Sequence, residues 1–183
     1  MIAERTNFFN KFMEKPGKIG SITPSSAFLT QKMLAKLPWN RIGTIVELGA
    51  GTGVFTRFIA DHKKADCQAL IIEQDRDMRE RLQGEYPELL FGSNAENLKY
   101  LLNKLNAAKV DYIVSGLPFA VFPETVREKI IRGVSQSLCS DGVFVAFQYS
   151  LQMRKLLKKH FSKVEIGFEL FNMPPAFIYR CQK

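Results

Sequence analysis

The chain has 183 residues, of which 46% are hydrophobic, 24% charged and 11% aromatic, the size and composition of one domain with its own core. That excludes a disordered tail, a collagen-like rod and a disulfide-stapled miniprotein. With 26 Lys and Arg against 18 Asp and Glu the net charge is +8, which points to an anionic partner, either nucleic acid or a membrane surface.

Apolar stretches such as Val143–Phe147 fall far short of the roughly 20 residues a helix needs to cross a bilayer. The opening MIAERTNFFNKFMEK scatters charge among its apolar residues, unlike a secretory leader, so a cytoplasmic protein is expected. Cys67, Cys139 and Cys181 are odd in number and outside any C-x-x-C pair, and read as reduced packing residues. His62 and His160 lack H-E-x-x-H spacing, so no metal site is expected.

Taken in chain order, residues 4–14 form a helix that gathers Phe8, Phe9, Phe12 and Met13, with Arg5, Lys11 and Lys15 alongside, and Pro16 and Gly17 break it. Two roles fit: a lid packed on the domain, or a basic amphipathic helix lying in an anionic membrane interface. A second helix starts at TPSS, with Thr23 as N-cap and Pro24 in the first position, and runs to about Leu37. TIVEL (44–48), CQALIIE (67–73), ELLFG (88–92), DYIVSG (111–116) and VFVAFQY (143–149) are short, branched or aromatic and bounded by turn residues, as buried strands are. Helix-length segments at 53–62, 75–83, 95–107, 123–138 and 150–160 separate them. Arg154, Lys155, Lys158, Lys159 and Lys163 fall in one acid-free stretch, which is a solvated helix face or an anion contact.

Such alternation implies parallel strands joined by right-handed crossovers, an α/β doubly wound fold. VEIGFEL (164–170) and AFIYRC (176–181) are joined only through Asn172, Pro174 and Pro175, a connection short enough for antiparallel pairing. The expected architecture is a single domain over 1–183, with 1–40 a helical lid or membrane-contact segment and 41–183 the core.

The segment VELGAGTGVFT (46–56) is a strand ending in G-x-G-x-G before a helix. Glycines there permit unusual φ/ψ and let a ligand approach the backbone without meeting a Cβ. The dinucleotide fingerprint G-x-G-x-x-G is not met, because Val54 stands where its third glycine belongs. Glu47 precedes the loop, and its carboxylate would repel a diphosphate but attract the amino and sulfonium groups of S-adenosylmethionine. Glu73, with Gln74 beside it in IIEQD, ends the second strand where an acid accepts from ribose hydroxyls. Asp75 competes for that role, but N-capping the next helix suits it better. Asn94 and Ala95, after the third strand, face the adenine edge.

This constellation resembles the class I S-adenosylmethionine-dependent methyltransferases along nearly the whole chain. The resemblance implies a Rossmann-like, mostly parallel seven-stranded sheet with a C-terminal antiparallel hairpin and N-terminal helices. It implies S-adenosyl-L-methionine as cofactor, with Glu47, Gly49, Ala50, Gly51 and Gly53 on its methionine side, Glu73 and Gln74 at the ribose, Asn94 and Ala95 at the adenine, and Ser115 at the acceptor boundary. Many family members carry Asp where this chain has Asn94.

The fourth strand ends in VSGLPFAVFP (114–123) at the switch point of the sheet, where the methyl acceptor must lie. The ribosomal RNA adenine dimethyltransferases carry N-L-P-Y or N-L-P-F here, the Asn holding the base, and append a helical domain after the sheet. This chain has Gly116 in the Asn position, and its residues after the last strand leave no length for that domain. S-G-L-P, KPGKIGSITPSS (15–26), FQYS and FNMPPAFIYR are instead similar to the soluble bacterial phospholipid N-methyltransferases, which methylate phosphatidylethanolamine stepwise. That implies a peripheral protein at the inner membrane face acting on a headgroup amine. Tyr149 is the first candidate to position the amine or relay its proton, and the backbone carbonyls of Ser115, Gly116 and Leu117 are the second. Phe119, Phe122 and Tyr149 are candidates to hold methylated ammonium by cation–π attraction, about 0.5–2 kcal/mol each, or simply to pack as a wall. An RNA adenine N6-methyltransferase and a noncatalytic S-adenosylmethionine-binding or membrane-docking module are the alternatives.

Overall fold

The computed structural model describes residues 24–172 and 174–183; the helix expected over 4–14 and the cap Thr23 lie outside them. Seven strands form one sheet in the order β3-β2-β1-β4-β5-β7-β6. They are β1 (Thr44–Leu48), β2 (Gln68–Ile72), β3 (Leu90–Gly92), β4 (Val110–Ser115), β5 (Leu138–Gln148), β6 (Lys163–Glu169) and β7 (Ala176–Gln182). The first five pair parallel, while β7 runs antiparallel to both β5 and β6, as the run of apolar segments and the short last connection predict.

The helices are α1 (Pro24–Leu34), α2 (Val54–His62), α3 (Arg76–Glu85), α4 (Leu98–Lys104), α5 (Glu124–Ser137) and α6 (Arg154–His160). Side-chain alternation along the strands divides the core into two layers. On one face Val46, Leu48, Leu70, Ile72, Ile113 and Phe144 meet α4, α5 and α6; on the other Ile45, Ile71, Val114 and Val145 meet α1, α2 and α3. Among the described residues no helix is long and apolar enough to cross a membrane.

Three boundaries depart from the sequence pattern for local reasons. The first described helix ends at Leu34, not Leu37, because Leu34 gives its carbonyl to Leu37 N and to the Trp39 indole, 3.1 Å each, and Pro38 cannot extend the ladder. β5 begins at Leu138, paired with Val110 ahead of an irregularity that ends at Tyr112–Val143, so Cys139–Gly142 reads as a turn in sequence but is strand. The segment expected over 95–107 opens with a 3₁₀ turn, Ala95–Asn97, before α4.

The topology reverses between β1 and β4, whose C-terminal ends open a crevice on the side where β5 also ends.

Candidate active site

β1 delivers the chain into a loop that only glycine can follow. Gly49, Gly51 and Gly53 have φ of +78°, +55° and +85°, a left-handed region in which a Cβ is strained. Their surroundings differ. A Cβ on Gly49 would lie 2.8 Å from Leu117 Cδ2 and one on Gly53 would run into Leu82 Cδ2, whereas one on Gly51 would meet nothing within 4 Å. Gly49 and Gly53 are therefore dictated by the protein's own packing, and Gly51 is the point at which the loop faces open space. Gly53 begins α2 and is wedged against α3, so packing explains it rather than ligand approach.

The carboxylate at the end of β2 fastens this loop. Glu73 is buried, and its two oxygens accept from Gly51 N at 2.7 Å and Asp75 N at 2.9 Å. Arg79 reaches back to the carbonyls of Glu73 and Gln74 at 2.7 and 3.1 Å, which holds the exposed Gln74 turn against the start of α3. Asp75 caps that helix, accepting from Met78 N at 2.9 Å, as the sequence reading preferred. Asn94 caps the 3₁₀ turn, its Oδ1 accepting from Glu96 N at 2.8 Å. That leaves the carboxamide nitrogen as the group able to meet a base edge, with half-buried Ala95 beside it.

Glu47 requires a correction. Its side chain is fully buried, Oε2 accepts from Thr56 Oγ1 at 2.7 Å, and Oε1 has no partner. Burial, opposed by the Thr56 hydrogen bond and reinforced by the Glu73 charge, pushes its pKa to about 8. At neutral pH the free protein therefore holds a neutral carboxyl beneath the loop. What it offers a cationic ligand is an ionisable group, not the standing negative charge that the sequence argument used.

On the β4 side, Ser115 is buried, and its Oγ accepts from Leu117 N at 3.2 Å, while Gly116 N donates to Leu48 O at 2.9 Å. A Cβ on Gly116 would stand 2.9 Å from Gly49 O, so the two loops touch backbone to backbone. Leu117 O receives both Phe119 N and Gln148 Nε2 at 2.9 Å. Its lone pairs are spent, which removes it as an amine acceptor and leaves the Ser115 and Gly116 carbonyls as the candidates in this turn. Phe119 is only 1% exposed and edge-on to Phe122 at 6.0 Å. Its ring belongs to the core under α5, not to an aromatic cage.

Tyr149, directly after β5, is partly exposed and meets Phe147 edge-on at 5.7 Å. Burial raises its pKa, opposed by the neighbouring Asn172 side chain. Gln148, Phe147 and Asn172 carry no part in the sequence reading of the site. Period-2 alternation, which sends Phe147 and Tyr149 to one face of β5 and Gln148 to the other, was the available signal for the first two. Asn172 is placed only by the tertiary return of the β6–β7 connection.

Together these groups fit a nucleoside with a cationic tail: paired acceptors at the loop rim, open space over Gly51, an unsatisfied ionisable carboxyl beneath. Within the described residues no His, Cys, Asp and Glu cluster has metal-binding geometry.

A family model described as the methyltransferase small domain matches residues 20–169. The chain is 32% identical over 180 residues to an ornithine lipid N-methyltransferase of Singulisphaera acidiphila, covering 96% of this chain and 94% of that protein. Among solved structures it is similar to the N-methyltransferase NodS from Bradyrhizobium japonicum WM9 in complex with S-adenosyl-L-homocysteine, with a TM-score of 0.70, 14% identity and coverage of 87% of this chain and 88% of that one. A Burkholderia thailandensis 1,6-didemethyltoxoflavin-N1-methyltransferase matches with a TM-score of 0.70, 13% identity and coverage of 98% and 86%. At such identities these two likenesses are of fold.

Proposed function

The chain belongs to the methyltransferase small domain family and is a class I S-adenosylmethionine-dependent methyltransferase, and from that premise we propose that it methylates the amine of a lipid headgroup. The observation that carries this reading is the match to a lipid N-methyltransferase over nearly the full length of both chains. The Gly116 turn supports it. An asparagine there, as the RNA adenine enzymes have, would bring a Cβ to 2.9 Å from the Gly49 carbonyl, so this backbone has no room for the amide that holds a base.

When bound, S-adenosylmethionine supplies a methyl group activated by its sulfonium. In this reading Gly51 N–H and both Glu73 oxygens set the loop that receives the nucleoside, and the remaining lone pairs of the Glu73 carboxylate accept from ribose hydroxyls. An acceptor amine is a nucleophile only without its extra proton, so the acceptor side must hold a neutral amine with its lone pair directed at the methyl. Tyr149 suits this. With its pKa raised it stays a neutral phenol, able to accept from the amine N–H, with the Asn172 side chain beside it. The Gly116 carbonyl accepts a second N–H, and the Phe147 and Tyr149 rings shield the lone pair from water. Positioning of this kind supplies a large part of the rate acceleration.

The test is incubation with labelled S-adenosylmethionine and separate phosphatidylethanolamine vesicles, ornithine lipid vesicles and cellular RNA. Phosphatidylethanolamine follows from the sequence resemblance and ornithine lipid from the relative's name. Label entering either lipid supports the reading; label entering RNA and neither lipid overturns it.

A further inference from the structure

The acceptor side of the crevice is bordered by an apolar surface for which methyl transfer itself has no use. Leu170 and Phe171, in the connection between β6 and β7, are 68% and 74% exposed, and Phe28 on α1, in ring contact with Phe171 at 5.7 Å, is 51% exposed. Phe168 is also exposed, packing on Phe177 at 4.9 Å. Single exposed apolar residues are ordinary, but a contiguous aromatic and aliphatic group at a hairpin tip marks an interaction surface.

The tip is held in place. Glu169 Oε1 accepts from Phe171 N at 2.9 Å, and its Oε2 pairs with Lys32 Nζ at 3.1 Å. Lys32 also donates to Phe168 O at 2.7 Å, tying α1 to the end of β6. Polar groups below thus fix an apolar cap above.

Its position relates it to the chemistry. Phe177 pairs with Gln148, so the connection emerges at the C-terminal end of β5, next to Tyr149, whose neighbour Asn172 belongs to the same connection. Beyond Tyr149, exposed Leu151 precedes exposed Arg154 and Lys155 in the first turn of α6. Apolar groups beside cations, on a chain of net charge +8, complement a surface with acyl chains beneath anionic headgroups.

We propose that the Leu170–Phe171 tip, with Phe28 and the Arg154–Lys155 turn, seats the enzyme on an anionic bilayer and so presents the headgroup amine to Tyr149. The seating deepens the lipid reading above and rests on it for its purpose.

The experiment uses the full chain and vesicles of phosphatidylglycerol with phosphatidylcholine, against phosphatidylcholine alone. The double variant Leu170→Ser, Phe171→Ser should lose at least tenfold in affinity for the anionic vesicles while keeping its unfolding midpoint and S-adenosylmethionine affinity. Phe171→Trp supplies a positive signal: its emission should shift to the blue on anionic vesicles and be quenched by brominated acyl chains. Binding should weaken with salt, and more weakly so in Arg154→Ala, Lys155→Ala. A wild type that binds neither vesicle, or a double variant that binds as wild type does, overturns the proposal. So does a dimer that the double variant dissociates with vesicle binding unchanged, which would assign the tip to a second copy. Because binding is read without transfer, a wild type that seats through the tip yet labels no lipid overturns the acceptor reading alone.

Discussion

The two sides of the crevice are built on different physical terms. On the β1–β2 side the loop is packed: Gly49 and Gly53 are pressed against Leu117 and Leu82, Gly51 is the one glycine of the three that faces open space, and both Glu73 oxygens are engaged. On the β4–β5 side the functional groups stand half in solvent, Tyr149 among them, and lean on a loop from the far edge of the sheet. In the proposed reading the cofactor shared by a whole family is recognised by the rigid side, and the acceptor is chosen by the side that is free to vary. Substitutions should therefore divide in the same way, into losses of binding on the first side and losses of turnover on the second.

The largest effect belongs to the tightest packing. Gly53→Val puts a branched side chain at φ +85° and into the space held by Leu82, itself fully buried. The backbone strain alone costs about 1–3 kcal/mol, and overpacking costs a similar amount. Chemical denaturation should show a loss of several kcal/mol, and calorimetry no detectable cofactor binding. A variant that binds normally would mean that the loop is far more compliant than its contacts imply. Gly51→Ala, with nothing within 4 Å of the new Cβ, should fold better yet still bind poorly, which separates ligand clearance from packing.

Glu73→Ala comes next. It strips the Gly51 and Asp75 amides of their acceptor and removes the carboxylate assigned to the ribose. Hydrogen bonds to a charged group are worth about 1.5–3 kcal/mol each, so affinity for S-adenosylhomocysteine should fall at least tenfold in a titration. An unchanged affinity would shift ribose recognition elsewhere, with exposed Gln74 the nearest alternative.

Tyr149→Phe probes the other side. Losing the hydroxyl should lower kcat about tenfold, the scale of one positioning hydrogen bond, with cofactor affinity unchanged. If cofactor affinity falls along with kcat, the division between the two sides fails. If neither changes, Tyr149 is a wall residue and the Gly116 carbonyl holds the amine without it.

The same division explains what was legible in the sequence. The succession of strands along the chain, the terminal hairpin and the glycine loop follow from local patterns: apolar runs of strand length, a connection too short for a crossover, glycines at a strand end. The Asp75 cap was equally readable, because capping is a contact within one turn. Phe119 was misplaced because an aromatic after a strand end looks the same whether it turns outward or packs beneath α5. The saturation of Leu117 O by Gln148 and the approach of Asn172 to Tyr149 join residues far apart in the chain and have no local signature. Glu47 was found as a residue but not as a charge state, since full burial is a property of the assembled sheet.

That charge state yields the most specific expectation, and the smallest for cofactor binding. A carboxyl raised from 4.5 to about 8 keeps its proton in the folded protein over a range where the unfolded chain has lost it. Stability from this group is complete below pH 4.5 and is lost as pH rises to about 8, after which it changes no further. Glu47→Gln keeps a neutral side chain of the same shape and removes that slope, so denaturation midpoints of wild type and variant should diverge across this window, with the wild type falling. Cation binding runs the other way. S-adenosylmethionine stabilises the ionised carboxylate, so its affinity for the wild type, relative to Glu47→Gln, should rise a few-fold towards pH 8, with net proton release on binding. Calorimetry in buffers of different ionisation enthalpy reads that release directly, and subtracting the variant removes protons contributed by the ligand's own amino group. Equal release from both proteins would mean that Glu47 stays protonated beneath the bound cofactor, serving the loop through Thr56 and contributing nothing to its preference for a cation.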